Sequence, residues 1–307
     1  MRFCTYRRGD ADVVGLVEDG TVLGLPDATG LLELLGGDGG GLARAAERAR
    51  REPAERRPVD EVELRAPLPV PPSIRDFLAF EEHRRNTRGG GEVDPDWYEL
   101  PIFYFSNPAA VHGPRDEVAI APGSAEWDYE LEFAAVIGTA GRDLRPDEAE
   151  AHIAGYTVLC DFSARDLQRR EMRQGLGPAK GKDSATSLGP WLVTPDELAP
   201  YRSRQSFALD MEVEVNGRRY GGGRLDDLYW SFGEMIAYAS RGTEVRPGDV
   251  FGSGTVGTGC ILEHAALGRG AEFPYLAQGD EVVLRVENVG ELRHRIAAAT
   301  PTIPLRP

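Results

Sequence analysis

The stretch WDYELEFAAVIG, residues 127–138, sets two carboxylates inside a segment otherwise fit for a core. It alternates as a strand, and alternation places residues i and i+2 on one face. Glu130 and Glu132 therefore share a face with Asp128 before them and with Ala134 and Val136 after them. Two carboxylates roughly 7 Å apart repel each other, and desolvating either is expensive. Arginines would compensate them, but converging carboxylates more naturally hold a hard divalent cation through oxygen. A third carboxylate, Asp161, ends the next apolar run, GYTVLCD, where a site loop would begin. The bland alternative is a pair of strand carboxylates facing water from a one-sided sheet.

Four other segments carry chemistry. DFSARDLQ (161–168) packs Asp161, Ser163, Arg165, Asp166 and Gln168 directly behind a strand, and also reads as a helix cap. DFLAFEEH (76–83) reads as helix, on which Asp76 and His83 would lie about 10 Å apart. That spacing suits a site in which they reach opposite ends of a substrate. GKDSATSLGPW (181–191) supplies Lys182 and Thr186; the lysine binds a substrate carboxylate or is simply a loop lysine. It is not part of a phosphate loop, because GxxxxGK[ST] does not occur. GSGTVGTGCILEH (252–264) matches GxGxxG, but no βαβ unit follows. It reads instead as a glycine-rich turn that brings backbone close to a ligand. Its Cys260 and His264 read as a buried thiol beside a surface histidine rather than as a nucleophile pair.

The elements that must position these groups are mostly strands. Asp19-Gly20 between two apolar runs signals a hairpin near the start. A short helical stretch at 30–35, a glycine cluster and an arginine-rich helix near 42–52 follow, the helix reading as a solvated face. APLPVPPS (66–73) is an extended, proline-rich linker, so residues 1–65 are expected to form a small N-terminal β domain and 74–307 the main domain. GEVDPDWYELP is a long charged loop with the character of a lid or partner contact. From about 116 onward strands dominate, with helices expected only at 145–154 and 225–241. In the second of these, Leu225, Leu228, Tyr229, Phe232, Ile236 and Ala239 make a buried stripe. The fold class is α+β, mostly β and mostly antiparallel.

With 307 residues, 41% hydrophobic, the chain has ample core for one large domain or two moderate ones. A net charge of −15 argues against nucleic acid or an anionic membrane as partner. Three scattered cysteines, no signal-like start and no apolar run of about 18 residues lead us to expect a soluble, cytoplasmic protein.

Taken in order, DYELEFAAVIG, AGYTVLCDFSARDLQ, GKDSATSLGPWLVT, RPGDVFGSGTVGTGC and GDEVVLRVENVGELRHRI resemble the fumarylacetoacetate hydrolase family from about residue 74 to 300. The resemblance implies a mixed β-roll catalytic domain behind a small N-terminal domain, usually a homodimer with Mg²⁺, Mn²⁺ or Ca²⁺. It makes Glu130, Glu132 and Asp161 metal ligands, with Asp76 where the fumarylacetoacetase branch places a fourth carboxylate. It makes His83 the catalytic histidine and Glu263 the acid that pairs with it. Gln168, Lys182 and Thr186, with Arg165, fall near the metal and the substrate oxygens. Segment 84–100 does not match the substrate-clamping region of that branch, and Tyr104 and Tyr98 are the candidates for its substrate tyrosine. The implied activity is hydrolysis of a C–C bond in a 1,3-dicarbonyl or acylpyruvate-type acid. Decarboxylation or isomerisation of a 2-oxo acid is the alternative, and a non-catalytic metal-containing binding protein the third reading.

Overall fold

The computed structural model describes residues 1–26 and 30–306. Among them, the main sheet has 12 strands. Its spine runs Arg2–Arg8, Thr186–Val193, Ile153–Asp161, Leu131–Ile137, Val250–Gly252, Ile74–Phe77 and Phe103–Ser106. A second sheet of five strands is built on Asp210–Val215, Glu281–Val286 and Gly290–Ala297. Most pairings are antiparallel; Val250–Gly252 runs parallel to Ile74–Phe77. The expected mostly-β α+β class is the one observed.

The hairpin signal near the start is realised in full. Strands Ala11–Glu18 and Thr21–Gly24 pair antiparallel across Asp19 and Gly20, whose φ of 47° and 71° are the left-handed values that this tight turn requires. The strand Arg2–Arg8 then pairs with Thr186–Val193, so the N-terminal strands extend the main sheet. The boundary expected at 66–73 falls within that continuous architecture, and Ala66 and Leu68 are buried.

The strand Leu131–Ile137 is covered on both faces. Leu131, Phe133, Ala135 and Ile137 enter the larger core with residues of the five-stranded sheet. Ala134 and Val136 enter a second core, roofed by the helix Gly41–Arg51 through Leu42, Ala45, Ala46 and Ala49. A strand buried on both faces leaves its polar residues only one outlet, the end of the strand.

Two expected helices are shorter than their periodicity implied. The 145–154 segment forms a helix only over Pro146–Ala149 and a 3₁₀ turn to His152, after which the strand begins at Ile153. In the 225–241 segment the helix starts at Phe232, because Ser231 and Glu234 form a reciprocal capping box there. Tyr229 lies before that cap, 37% exposed, and leaves the expected stripe. His264, read as a surface residue, is buried; its Nε2–H donates to the Tyr220 carbonyl at 2.8 Å and its ring stacks on Phe273. No helix among the described residues is long and apolar enough to cross a membrane.

His294, on the strand Gly290–Ala297, is fully enclosed and donates Nδ1–H to the Asp116 carbonyl at 2.8 Å. Burial, with His112 nearby, holds its pKa down to about 4 from the ordinary 6.5. The unfolded chain takes up this proton near 6.5 and the folded chain only near 4, so stability falls as pH drops through that window. The expected loss from this one group is about 2 kcal/mol at pH 5. Urea denaturation at pH 7 and pH 5 checks it, because His294→Gln removes that share of the pH dependence.

Candidate active site

The buried carboxylates meet at the ends of four adjacent strands. Glu132 lies on Leu131–Ile137 and Asp76 on Ile74–Phe77, with Val250–Gly252 between them, where Gly252 is the register partner of both Ala134 and Asp76. A methyl group on Gly252 would stand 2.7 Å from Asp76 Oδ1 and 2.9 Å from Glu132 Oε2. The missing side chain is what lets two acids approach across an intervening strand. The close backbone approach expected of the glycine-rich turn is here made to a side chain, Gly254 N–H donating to Glu132 Oε2 at 3.1 Å. We predict that Gly252→Ala displaces one carboxylate at a cost of about 1–3 kcal/mol. Divalent-cation affinity measured by calorimetry should weaken by about tenfold or more, as it does when outer-shell support is lost.

Asp76 is on a strand, not on the expected helix. The helix begins only at Glu81 and carries His83, so the helical spacing inferred for Asp76 and His83 does not apply. The strand Phe103–Ser106 pairs with that of Asp76 in a register that sets Tyr104 opposite it. The Tyr104 hydroxyl donates to Asp76 Oδ2 at 3.0 Å and contacts Asp161. Burial first, then Asp161 and Asp76, pushes its pKa well above the ordinary value, so it remains a donor. Tyr98 points elsewhere, to Glu81.

Asp161 ends its strand beside Glu130; its N–H donates to the Glu130 carbonyl at 3.2 Å. Lys182 Nζ bridges the two side chains, contacting Glu130 and lying 2.5 Å from Asp161 Oδ2. Arg165, 2% exposed, donates Nε to Asp128 and Nη2 to Glu130, both at 2.8 Å, and Nη1 to Gln168 at 3.1 Å. All three of these contacts are within the chain, so Arg165 orients the acids. Thr186, expected near substrate, turns its hydroxyl to Ser106 at 3.1 Å and does not line the cleft.

The charges in this cluster do not balance. Asp76, Glu130, Glu132 and Asp161 are each no more than 5% exposed and meet two cations, Lys182 and Arg165. Burial works against ionised Glu130, yet Arg165, Lys182 and His83 hold its pKa below the usual carboxylate range. Burial, then Asp76 and Glu130, drives Glu132 well above that range, and burial leads in raising Asp76 as well. Asp161 is pushed up to about 8, by burial first, with Lys182 opposing and Asp76 and Glu130 reinforcing. Asp76 Oδ1 and Asp161 Oδ1 are buried and accept no hydrogen bond. One oxygen each from Asp76, Glu130 and Glu132 lie within 4.8 Å of one another. Convergent hard oxygens in excess of the local positive charge suit a divalent cation.

The acid–base pair stands on the other wall. His83 Nδ1 is 3.4 Å from Glu263 Oε1, a separation of the loose kind that catalytic pairs close when substrate binds. Glu263 is fully buried and accepts from Thr258 N–H at 3.0 Å and Asn86 Nδ2 at 3.1 Å. Burial opposes its ionisation, but His83 and these donors hold its pKa below the usual range. Cys260 Sγ approaches Glu263 Oε2 at 3.6 Å, and burial keeps the thiol protonated. His83, Asp76, Glu130, Glu132, Gln168 and Lys182 open on one cleft of about 860 Å³.

Asp128, third on the face of Glu130 and Glu132, had no role that the sequence alone revealed. Its carboxylate accepts from Ile261 N–H at 2.8 Å and Leu262 N–H at 3.0 Å, anchoring the first turn of the helix Ile261–Ala266 that carries Glu263. Only its alternation with Glu130 and Glu132 hinted at it. For Gly254 N–H the glycine-rich turn signalled a close backbone approach but not which acid would receive it.

Comparison with known proteins now bears on this geometry. A 2,4-didehydro-3-deoxy-L-rhamnonate hydrolase of Sphingomonas sp. is 32% identical over 198 residues, 64% of this chain and 65% of that protein. The mitochondrial oxaloacetate tautomerase FAHD2A of Homo sapiens is 33% identical over 197 residues, 64% of this chain and 59% of that protein. The chain thus spans somewhat under two thirds of these relatives. Maleylpyruvate hydrolase from Sphingobium sp. SYK-6, solved in complex with manganese(II) and pyruvate, shares the fold with a TM-score of 0.73. That alignment is 24% identical and covers 98% of this chain and all of that one. The model describing the fumarylacetoacetate (FAA) hydrolase C-terminal region matches residues 73–297, and the chain belongs to that family.

Proposed function

We propose that the protein is a divalent-metal-dependent enzyme that hydrolyses a C–C bond in an acylpyruvate-type 1,3-dicarbonyl acid. One observation carries the reading: a histidine backed by a buried glutamate and a carboxylate cluster in excess of its cations open on the same cleft. Asp76, Glu130, Glu132 and Asp161 would hold the ion, Mg²⁺ by expectation with Mn²⁺ or Ca²⁺ as the alternatives. When bound, it supplies Lewis acidity toward substrate oxygens.

The chain's own groups do the rest. Glu263, 3.4 Å from His83 Nδ1, would orient the imidazole as the pair closes, and His83, which lines the cleft, would take a proton from water. The hydroxide adds to the acyl carbonyl carbon, and the bond to the neighbouring carbon breaks. Its electron pair passes into the enolate of the departing 2-oxo acid. Lys182, kept protonated by Asp161 and Glu130 against the effect of burial, places its positive charge beside that enolate. His83 then returns its proton to the enolate carbon, giving a carboxylic acid and a 2-oxo acid. Arg165 fixes Glu130, and Tyr104 fixes Asp76 and Asp161.

A tautomerase is the second reading, favoured by the relative named an oxaloacetate tautomerase at 33% identity. It would use the same enolate-stabilising wall without water attack. Metal-loaded protein assayed against acylpyruvates, fumarylacetoacetate and oxaloacetate separates the two. Acid release from an acylpyruvate supports hydrolysis, whereas enol–keto conversion of oxaloacetate with no cleavage of any acylpyruvate removes it. Metal analysis and light scattering on the same sample test the expected ion and the expected homodimer.

A further inference from the structure

Three donors of different chemistry meet at the cleft wall that carries His83. His83 lies on the helix Glu81–Asn86, whereas Cys260 and Glu263 sit at the start of the helix Ile261–Ala266. One atom from each, the imidazole Nδ1, the thiol Sγ and a carboxylate oxygen, lies within 4.8 Å of the other two, and all three residues are buried. His83 Nδ1 is enclosed and makes no hydrogen bond; Glu263 Oε1 stands 3.4 Å from it. Cys260 Sγ stands 3.6 Å from Glu263 Oε2.

These are the separations of a coordination shell. Bonds of about 2.0–2.1 Å to nitrogen or oxygen and about 2.3 Å to sulfur, set at tetrahedral angles, place neighbouring ligand atoms about 3.3–3.6 Å apart. The shell has outer support as well. Glu263 Oε1 accepts from Asn86 Nδ2 at 3.1 Å and from Thr258 N–H at 3.0 Å, which fixes the carboxylate. One imidazole nitrogen, one sulfur and one carboxylate select zinc over the hard ions that suit the all-oxygen cluster. Three protein ligands leave the fourth position to water. An ion enters from the cleft, which His83, Thr255 and Leu262 line.

We propose that His83, Cys260 and Glu263 form a second metal site, distinct from the carboxylate cluster, that takes Zn²⁺. On binding, the thiol proton leaves to solvent and the sulfur electron pair forms the Zn–S bond, so that thiolate and carboxylate balance the charge of the ion. The site stands apart from the function proposed above, but its consequence rests on that reading. Coordination at Nδ1 leaves the ring proton on Nε2 and no electron pair free to take a proton from water, so Zn²⁺ inhibits.

The strand residue Glu130 is the bridge partner of Cys260, so the two sites are neighbours and the test has to tell them apart. Co²⁺, which reports a thiolate ligand by a charge-transfer band in the near ultraviolet, is titrated into Mg²⁺-loaded protein. One equivalent should raise the band with Mg²⁺ retained by elemental analysis, Zn²⁺ should abolish it by competition, and cleavage of an acylpyruvate should fall in step with occupancy. Asn86→Ala, which keeps all three ligands, should weaken Co²⁺ binding by about 10–100-fold, the usual loss with an outer partner. Cys260→Ala and His83→Gln should each weaken it further. No band in the intact protein, a band that persists in Cys260→Ala, or release of one Mg²⁺ for each Co²⁺ bound overturns the site. A band of the expected behaviour without inhibition leaves the site standing and overturns the water-activating role of His83.

Discussion

Glu132→Gln abolishes divalent-metal binding while leaving the metal-free protein as stable as before or more so. Glu132 is fully buried, receives one backbone N–H from Gly254 and otherwise faces like charge from Asp76, Glu130 and Asp161. Neutralising it relieves repulsion when no cation is present and removes a ligand when one is. By mass action, a ligand at about 100 times its dissociation constant stabilises the folded state by about 2.7 kcal/mol. The intact protein should therefore show a Mg²⁺- or Mn²⁺-dependent rise in Tm that the variant lacks, together with near-complete loss of bound metal by elemental analysis. Glu130 behaves oppositely. Because it answers both Arg165 and Lys182, Glu130→Ala leaves each of these buried cations with one carboxylate partner, Asp128 and Asp161, in place of two, and should destabilise the fold by about 1–3 kcal/mol whether or not metal is added. If Glu132→Gln retains its metal and its Tm shift, the carboxylate cluster is not the ion's site.

His83→Ala lowers C–C hydrolysis by about 10²–10⁴-fold, the usual worth of a positioned general base, with metal content unchanged. Glu263→Gln should cost less, because it leaves the imidazole in place but removes the charge that orients and polarises it. The two substitutions combined should cost little more than His83→Ala alone, as happens when residues act as a unit. Deuterium exchange at the carbon next to the 2-oxo group separates the two halves of the reaction. Exchange should be lost with hydrolysis in His83→Ala if the histidine returns its proton to the enolate carbon, whereas exchange that survives moves that delivery to another group of the cleft. Hydrolysis at the intact rate in His83→Ala would falsify the water-activating role.

The legible part of the site was the part governed by period. Glu130 and Glu132 alternate on a strand, Asp161 closes the next one, and neither inference needed a tertiary contact. Asp76 was misassigned because AFEEHRRN has strong helical character, and that pattern drew the expected helix start back over residues whose strand partner, Val250–Gly252, is remote in sequence. Tyr104 could be placed only once the register with Asp76 was known. Arg165, Lys182 and Gln168 were found by type and by resemblance. That Arg165 and Lys182 are held by carboxylates follows from buried ion pairing, which sequence does not encode locally. The helix spanning 232–239 shows the same limit, since its start is set by Ser231 and Glu234 rather than by the apolar stripe that extends past them.

The link from Asp128 through Arg165 to Glu130 has a mechanical consequence. One carboxylate anchors the helix bearing Glu263 and, through a single guanidinium, also braces the acid at the ion cluster. The spacing between the helix that bears Glu263 and the carboxylate cluster is therefore set by one side-chain bridge rather than by a loop. On the proposed reading, a change in what the protein accepts is made on the rim around Ile102, Phe105 and Leu176, where side chains can be exchanged without disturbing that bridge.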